Sequence, residues 1–255
     1  MEYKVNRITE VECPARGYAL LRYEGDTEVQ GEPGQFVMVR GAWGNHPVLP
    51  RAFSLVESGD NGAVLVRQVG EGTRLLIDMK PGDKLMVLGP LGHGYTLPDA
   101  SYQPVLVAGG VGVAPLLFMA DRLEAQGVRP MFLYGARSSA ELPLMDRISK
   151  KCDLIVTTED GTLGEQGLVT AALKRLLDKS VSVAVFSCGP QRMLEAVAQV
   201  CEHFKTPCQV ALESPMACGM GTCKGCAVLA ADGQYKYVCS DGPVFESSQI
   251  WSGAK

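Results

Sequence analysis

At 255 residues with 46% apolar content, the chain is long enough to bury the cores of two compact domains and still carry an appendage, and it is not a disordered polymer. Its net charge is −4, with lysines and arginines scattered and never more than two in a row, so there is no basic stripe for nucleic acid and no polybasic patch for a membrane surface. Partners are expected among small molecules and proteins.

Over residues 1–98, short β-branched or alternating runs at 18–23, 35–40, 52–56, 63–69 and 84–88 are separated by turn residues such as Pro33-Gly34 and Pro81-Gly82-Asp83. Close-spaced strands with little helical periodicity predict an antiparallel β-barrel. A helix over 74–79 is the exception, and Gly70-Glu71-Gly72-Thr73 stands directly before it. A glycine-rich turn with Thr73 as N-cap presents N–H groups and a hydroxyl suited to a pyrophosphate, although the same residues also make an ordinary capped helix between two strands. The run Arg51-Ala52-Phe53-Ser54 puts a guanidinium and a hydroxyl on one strand, able to hold phosphate while its backbone lies along an isoalloxazine edge. Arg67 is a further candidate anion partner.

Residues 99–210 read as alternating strands and helices, a Rossmann-like parallel α/β nucleotide-binding domain. A strand at 105–108 runs into the tight turn Gly109-Gly110-Val111-Gly112 and a helix over 113–125 that Gly127 ends. Further strands are expected at 131–134, 154–157 and 181–187, with ligands held by the loops 109–115, 135–142, 158–167 and 188–190 at the carboxyl edge. Neither key turn is specific alone. The first lacks a full G-x-G-x-x-G, and Cys188-Gly189-Pro190 equally suits a strand end with proline in the next helix's first turn. Cys201 falls on the apolar face of a helix with Met193, Leu194, Val197, Val200 and Phe204, and Cys13, Cys152 and Cys208 are also read as structural. His46, His93 and His203 are single and unpaired. The uncharged run 104–120 is seventeen residues long and broken by Gly109, Gly110, Gly112 and Pro115, so it is read as strand, loop and helix rather than a membrane span.

Residues 211–255 hold four of the nine cysteines: Cys218, Cys223, Cys226 and Cys239, with four, two and twelve residues between them. That is the plant-type spacing for a 2Fe-2S cluster. Gly219, Gly221 and Gly225 allow the backbone to curl and aim N–H groups at sulfur, and a hairpin around Asp232-Gly233 brings Cys239 back to the loop. A four-cysteine zinc site is the first competing reading, but only Cys223 and Cys226 form a C-x2-C knuckle. The second, a secreted disulfide scaffold, fits poorly with an odd cysteine count and an opening MEYKVNRITE without an apolar h-region, so the chain is expected to be cytoplasmic.

Arg51-Ala52-Phe53-Ser54, Gly72-Thr73, Gly89-Pro90-Leu91-Gly92, the 109–115 turn and Cys188-Gly189-Pro190 together resemble the ferredoxin-NADP reductase superfamily. Thr158-Glu159-Asp160-Gly161, the cysteine loop and the run Val238-Cys239-Ser240-Asp241-Gly242-Pro243-Val244-Phe245 resemble, within it, the electron-transfer subunits of dihydroorotate dehydrogenase B. The resemblance implies FAD on the barrel, with Arg51 and Ser54 at the flavin and pyrophosphate and Arg67, Gly72 and Thr73 continuing the site. It implies NAD at Gly109, Gly110, Gly112 and at Cys188, Gly189, Pro190, with Cys188 a candidate lining of the nicotinamide position. It also implies an FMN-containing catalytic partner that oxidises dihydroorotate, in a hetero-oligomer taken as a heterotetramer. The chain departs from the pattern at Ala52, in place of proline, and Val111, in place of a third glycine. Within the same chemistry, a reductase subunit of a ferredoxin:NADP oxidoreductase, sulfite reductase or hydrogenase is the alternative. No region is left over for an organic substrate, and apolar Met216, Met220 and Val244 are expected near a partner surface.

Overall fold

The computed structural model describes residues 3–44, 46–179 and 182–251, with the backbone alone at 26–29. Strands β1 (Lys4–Glu12), β2 (Tyr18–Val29), β3 (Phe36–Gly41), β4 (Arg51–Glu57) and β5 (Gly59–Arg67) are followed by helix α1 (Glu71–Ile77) and strand β6 (Lys84–Leu91). The six strands close an antiparallel barrel in the order β1-β2-β5-β4-β3-β6. Alternation decides what each face does. In β2, Ala19, Leu21 and Tyr23 point into the barrel, while Tyr18 and Leu20 face the following α/β unit. In β3, Val37 and Val39 point inward, while Phe36 and Met38 join an outer apolar group. Residues 18–21 and 36–39 therefore read as unbroken apolar runs. β1 was not anticipated, because its sequence alternates charge with apolar residues and buries only Asn6 and Ile8.

The α/β unit comprises β7 (Gln103–Gly109), α2 (Val113–Ala125), β8 (Met131–Ala136), α3 (Met145–Lys151), β9 (Asp153–Thr158), β10 (Glu165–Gln166), α4 (Val169–Leu177), β11 (Val183–Cys188), α5 (Gln191–His203) and β12 (Cys208–Ala211). Val181, placed at the start of the strand expected over 181–187, lies outside the described residues. In β7, Leu106 and Ala108 pack with α2 and α3, whereas Val105 and Val107 pack with α4 and α5. A strand covered on both faces needs apolar residues at every position.

After β12 come the hairpin strands β13 (Ala227–Leu229) and β14 (Tyr235–Tyr237), then β15 (Val244–Glu246) and α6 (Ser247–Ile250). The sheet order is β10-β9-β8-β7-β11-β12-β15, parallel except for β15, which runs antiparallel to β12. The last strand of the stretch assigned to the cysteines is thus built into the nucleotide sheet.

Barrel and sheet are also joined by charge. Glu57 at the end of β4 accepts two bonds from Arg22 at 3.2 Å each and one from Arg147 of α3 at 2.6 Å. Desolvation alone would raise the Glu57 pKa, but the two guanidinium groups outweigh it and hold the carboxyl below its ordinary value of 4.5. A lowered folded-state pKa stabilises fully above the unfolded value and is lost as pH falls through the folded one. Glu57→Gln is therefore expected to cost about 1–3 kcal/mol at neutral pH. In urea titrations it should also remove part of the wild-type loss of stability below about pH 4.5.

Candidate electron-transfer site

Arg51, Ala52, Phe53 and Ser54 lie half-buried on β4. Phe53 packs against the barrel core, while Ala52 packs against the outer apolar group that also holds Cys226 and Cys239. Arg51 lies across the first turn of α1, where a Cβ on Gly72 would stand 2.3 Å from the arginine Nε and Cζ. Only glycine leaves room for the guanidinium there, so Arg51 and Gly72 form one cradle, able to receive a phosphate of FAD. α1 begins at Glu71 with Gly70 as N-cap, which corrects the expectation of Thr73 as the cap. The Thr73 Oγ1 accepts the N–H groups of Val69 at 2.9 Å and Gly70 at 3.0 Å and donates to the Gly70 carbonyl at 2.9 Å, so it braces the turn. Arg67 reaches Glu141 Oε1 at 3.0 Å and lies 5.8 Å from the centre of the Tyr18 ring, engaged across the cleft with the nucleotide half.

The sheet order reverses between β7 and β11, and their carboxyl ends sit side by side, Ala108 against Cys188. That is the switch point where open α/β sheets bind ligands. A Cβ on Gly112 would lie 2.1 Å from the Cys188 carbonyl oxygen, and one on Gly109 2.6 Å from Met193 Sδ and 2.8 Å from Pro190 Cδ. Gly189 approaches Gly109 Cα to 3.0 Å on the same measure. These three glycines let two loops pack together. Gly110 is different: its φ is +54° and nothing lies within 4 Å of its Cβ direction, so it is the glycine of the turn that opens on free space. Tyr95, not singled out from sequence, ties the strand ends by donating to the Ser187 carbonyl at 2.9 Å, while Ser187 Oγ donates to the Val107 carbonyl at 2.9 Å.

Burial, and then the nearby Glu213 carboxylate, push the pKa of the buried Cys188 thiol well above its ordinary range, so the thiol stays uncharged. Glu213 is an exposed residue by area, yet surrounding protein desolvates its carboxyl enough to raise its pKa. Sequence reasoning did not single it out, because no motif marks Glu213, two residues past the end of β12. The 158–167 loop supports the one carrying Arg137, Ser138 and Ser139, with Asp160 N–H donating to the Arg137 carbonyl at 3.1 Å and Ser139 N–H to Thr162 Oγ1 at 2.9 Å.

The four loop cysteines gather as two pairs. Cys226 and Cys239 are buried with their sulfurs 3.2 Å apart, and the Cys223 N–H donates to Cys218 Sγ at 3.4 Å. Among the described residues no three or more His, Cys, Asp or Glu side chains converge on one metal position. Further N–H groups aim at sulfur from Met220 to Cys218 at 3.5 Å, Gly221 to Cys239 at 3.1 Å and Cys239 to Cys226 at 3.4 Å. Desolvation would raise Cys218, but the N–H donors of Cys223 and Met220 bring it down to about 7. Desolvation and the neighbouring Cys226 push Cys239 up to about 12. Two thiolates for each of two irons, with dipoles stabilising anionic sulfur, suit a 2Fe-2S cluster. Positive φ falls on Gly219 at 72°, Gly221 at 82° and Lys224 at 56°, not on Gly225 as expected, so the loop curls one residue earlier.

A Cβ on Gly219 would stand 2.6 Å from Met38 Cγ and 3.2 Å from Leu91 Cδ1, so the loop's backbone rests on the barrel. Met38 is the β-ladder partner of Ala52. Beyond the hairpin, the Gly242 carbonyl accepts the His93 N–H at 2.7 Å and the Pro243 carbonyl accepts the Leu212 N–H at 2.9 Å, bridging barrel and sheet. Met216 and Val244 pack locally against the cores, and Met220 is exposed. Cys152, Cys201 and Cys208 are buried as expected, whereas Cys13 is exposed in the turn after β1. His46, expected to be unpaired, bonds Glu71 Oε2 at 2.9 Å on the surface. No helix among the described residues is long and apolar enough to cross a membrane.

A phosphate cradle on a barrel, a nucleotide switch point facing it and a thiol loop lying one strand away define an iron–sulfur flavoprotein oxidoreductase of the ferredoxin-reductase fold. A solved NADH-dependent reduced ferredoxin-NADP oxidoreductase superposes with a TM-score of 0.85 over 96% of this chain and 89% of that one, at 28% identity. The ferredoxin reductase in carbazole 1,9a-dioxygenase shares the fold at a TM-score of 0.72 and 17% identity, over 80% of this chain and 66% of that one. Residues 213–251 match the iron-sulfur cluster binding domain of dihydroorotate dehydrogenase B, and residues 106–199 match the oxidoreductase NAD-binding domain. The chain belongs to the family of electron transfer subunits of dihydroorotate dehydrogenase B (NAD(+)). It is 38% identical to the Desulforamulus reducens subunit, over 86% of each chain. It is 33% identical to the Clostridium acetobutylicum subunit, over 98% of this chain and 97% of that one.

Proposed function

We propose that the chain passes electrons from dihydroorotate oxidation in an FMN-containing catalytic partner subunit through its 2Fe-2S cluster and FAD to NAD, in cytoplasmic pyrimidine biosynthesis. When bound, nicotinamide supplies hydride exchange, the cluster single-electron exchange, and the flavin both. Residues 1–98 serve FAD: Arg51, Ala52, Phe53 and Ser54 hold flavin and pyrophosphate with Gly72, Thr73 braces the turn, and Arg67 balances charge at the cleft. Residues 99–210 serve NAD. Gly110 faces the pyrophosphate, Gly109, Gly112, Gly189 and Pro190 fix the two loops, and Cys188 lines the nicotinamide position. Residues 211–255 serve the cluster, with Cys218 and Cys223 on one iron and Cys226 and Cys239 on the other. The partner is joined in a heterotetramer.

The observation that carries this reading is Met38, which touches the cluster loop through Gly219 and pairs with Ala52 of the flavin strand. Met38 therefore lies between the loop and the strand to which this reading assigns the two redox groups. The test is Cys223→Ser in the complex with its partner. FAD reduction by NADH should remain within about threefold of wild type while electron exchange with the partner falls on the order of 100-fold, read by stopped-flow absorbance. Equal loss of both would make the loop a structural element only. The likeness to the NADH-dependent reduced ferredoxin-NADP oxidoreductase favours a second reading, a reductase subunit of another complex. A purified complex that reduces NAD with a different donor but not with dihydroorotate would establish it.

A further inference from the structure

Tyr134, at the end of β8, is fully buried, and its hydroxyl stands 3.0 Å from the Gly110 carbonyl and 3.2 Å from the Pro143 carbonyl. A phenol has one proton, so these two acceptors share one donor. They belong to the two loops that lead out of neighbouring strands at the carboxyl edge of the sheet. Gly110 is the residue of the 109–112 turn with open space before it. Pro143 closes the loop that carries Arg137, Ser138 and Ser139, one residue before Leu144, which is held at φ +65°. In a sheet of this kind a dinucleotide lays its pyrophosphate on the turn after the first strand and its adenosine ribose beside the end of the second. A single buried hydroxyl therefore spans the two surfaces such a ligand must touch at once.

We infer that Tyr134 is a positioning residue for the nicotinamide dinucleotide, setting the distance between the pyrophosphate turn and the adenosine loop without touching the ligand. The inference rests on the assignment of NAD to the Gly110 turn. Burial holds the phenol pKa well above its ordinary value, so the donor is present throughout the working pH range. The neighbouring Tyr18 hydroxyl, buried and without a hydrogen-bond partner among the described residues, supplies no bond to either carbonyl in its place. Removing the Tyr134 hydroxyl leaves the buried Pro143 carbonyl without this donor and the half-buried Gly110 carbonyl with only the Val113 N–H, which unlinks the two loops, while the ring and its edge-on contact with Phe132, 6.0 Å between centroids, persist.

The experiment measures ADP-ribose binding by calorimetry and NADH kinetics with ferricyanide, on the FAD- and cluster-loaded chain in its complex. Tyr134→Phe is expected to weaken ADP-ribose and raise KM for NADH about fivefold, with kcat within about twofold of wild type. Phe132→Leu loosens the same strand without touching either carbonyl, and should melt lower yet bind ADP-ribose as wild type does. Gly110→Glu, whose Cβ meets no atom of the protein, puts a carboxylate before the turn at the cost of a left-handed φ and should abolish ADP-ribose binding, with Gly110→Ala as the control for that φ. If Gly110→Glu loses binding while Tyr134→Phe keeps it, or if Phe132→Leu weakens it as much as Tyr134→Phe, the positioning role is overturned and the NAD site stands. If Gly110→Glu binds normally, the NAD assignment falls and the inference with it.

Discussion

Replacing Gly219 by valine is expected to cut the flavin off from the cluster while leaving NADH oxidation on the flavin side intact. The added Cβ would meet the side chain of Met38, which is fully buried, so Met38 could give way only by disturbing the packing beneath the loop. Valine also resists a φ of +72°. Strain and overpacking together cost roughly 2–6 kcal/mol, and the chain relieves them by lifting the loop off β3. Bleaching of the cluster after NADH addition, followed by rapid-mixing absorbance, should slow on the order of 100-fold or vanish, with FAD content and its reduction rate near wild type. Gly221→Ala is the comparison: it is equally left-handed, at φ +82°, but meets only the Ser240 side chain, Cβ at 3.2 Å and Oγ at 3.3 Å. Wild-type bleaching in Gly219→Val would show that contact with Met38 does not govern the transfer.

The second large effect is expected at Gly112→Ala. There the methyl group would sit 2.1 Å from the Cys188 carbonyl oxygen and 2.4 Å from its carbon, and neither is a side chain that can rotate away. The two loops of the switch point must part. A displacement of about 1 Å at such a site costs on the order of 100-fold in rate, and the overpacking costs about 3 kcal/mol. Hydride transfer from NADH and the urea midpoint should fall together. Gly110→Ala, two residues away, adds no contact and pays only for a left-handed φ, about 1–2 kcal/mol. If the two alanine variants behaved alike, the close approach of the loops would carry no function.

The cysteine spacing was legible because ligand geometry is local: a loop of nine residues, from Cys218 to Cys226, and a returning hairpin can be read without knowing what lies beneath. The parallel strands were legible for the same reason, since burial on both faces leaves a continuous apolar signature. What escaped depends on partners far along the chain. Gly109 and Gly112 look like phosphate-binding glycines, yet their lack of a side chain is used by Met193, Pro190 and Cys188, more than seventy residues away. Thr73 looked like a cap, but its hydroxyl turned back onto Val69 and Gly70, where it satisfies two N–H groups at once. Arg67 looked free to meet an anion, and found Glu141 across the cleft. β15 is three residues long and reads as nothing by itself; only the bare edge of β12 makes it a strand.

That short strand has a consequence for any attempt to pare the molecule down. A chain truncated before Leu212 would lose not just the thiols but the closing rung of the nucleotide sheet, stripping the backbone of Gln209, Val210 and Ala211 of its neighbour and baring the surface under Phe245. An uncapped apolar edge of that kind recruits other chains. The cysteine-bearing tail thus covers an edge of the nucleotide sheet, and a nucleotide half made without it is expected to aggregate more readily than the full chain, which light scattering checks.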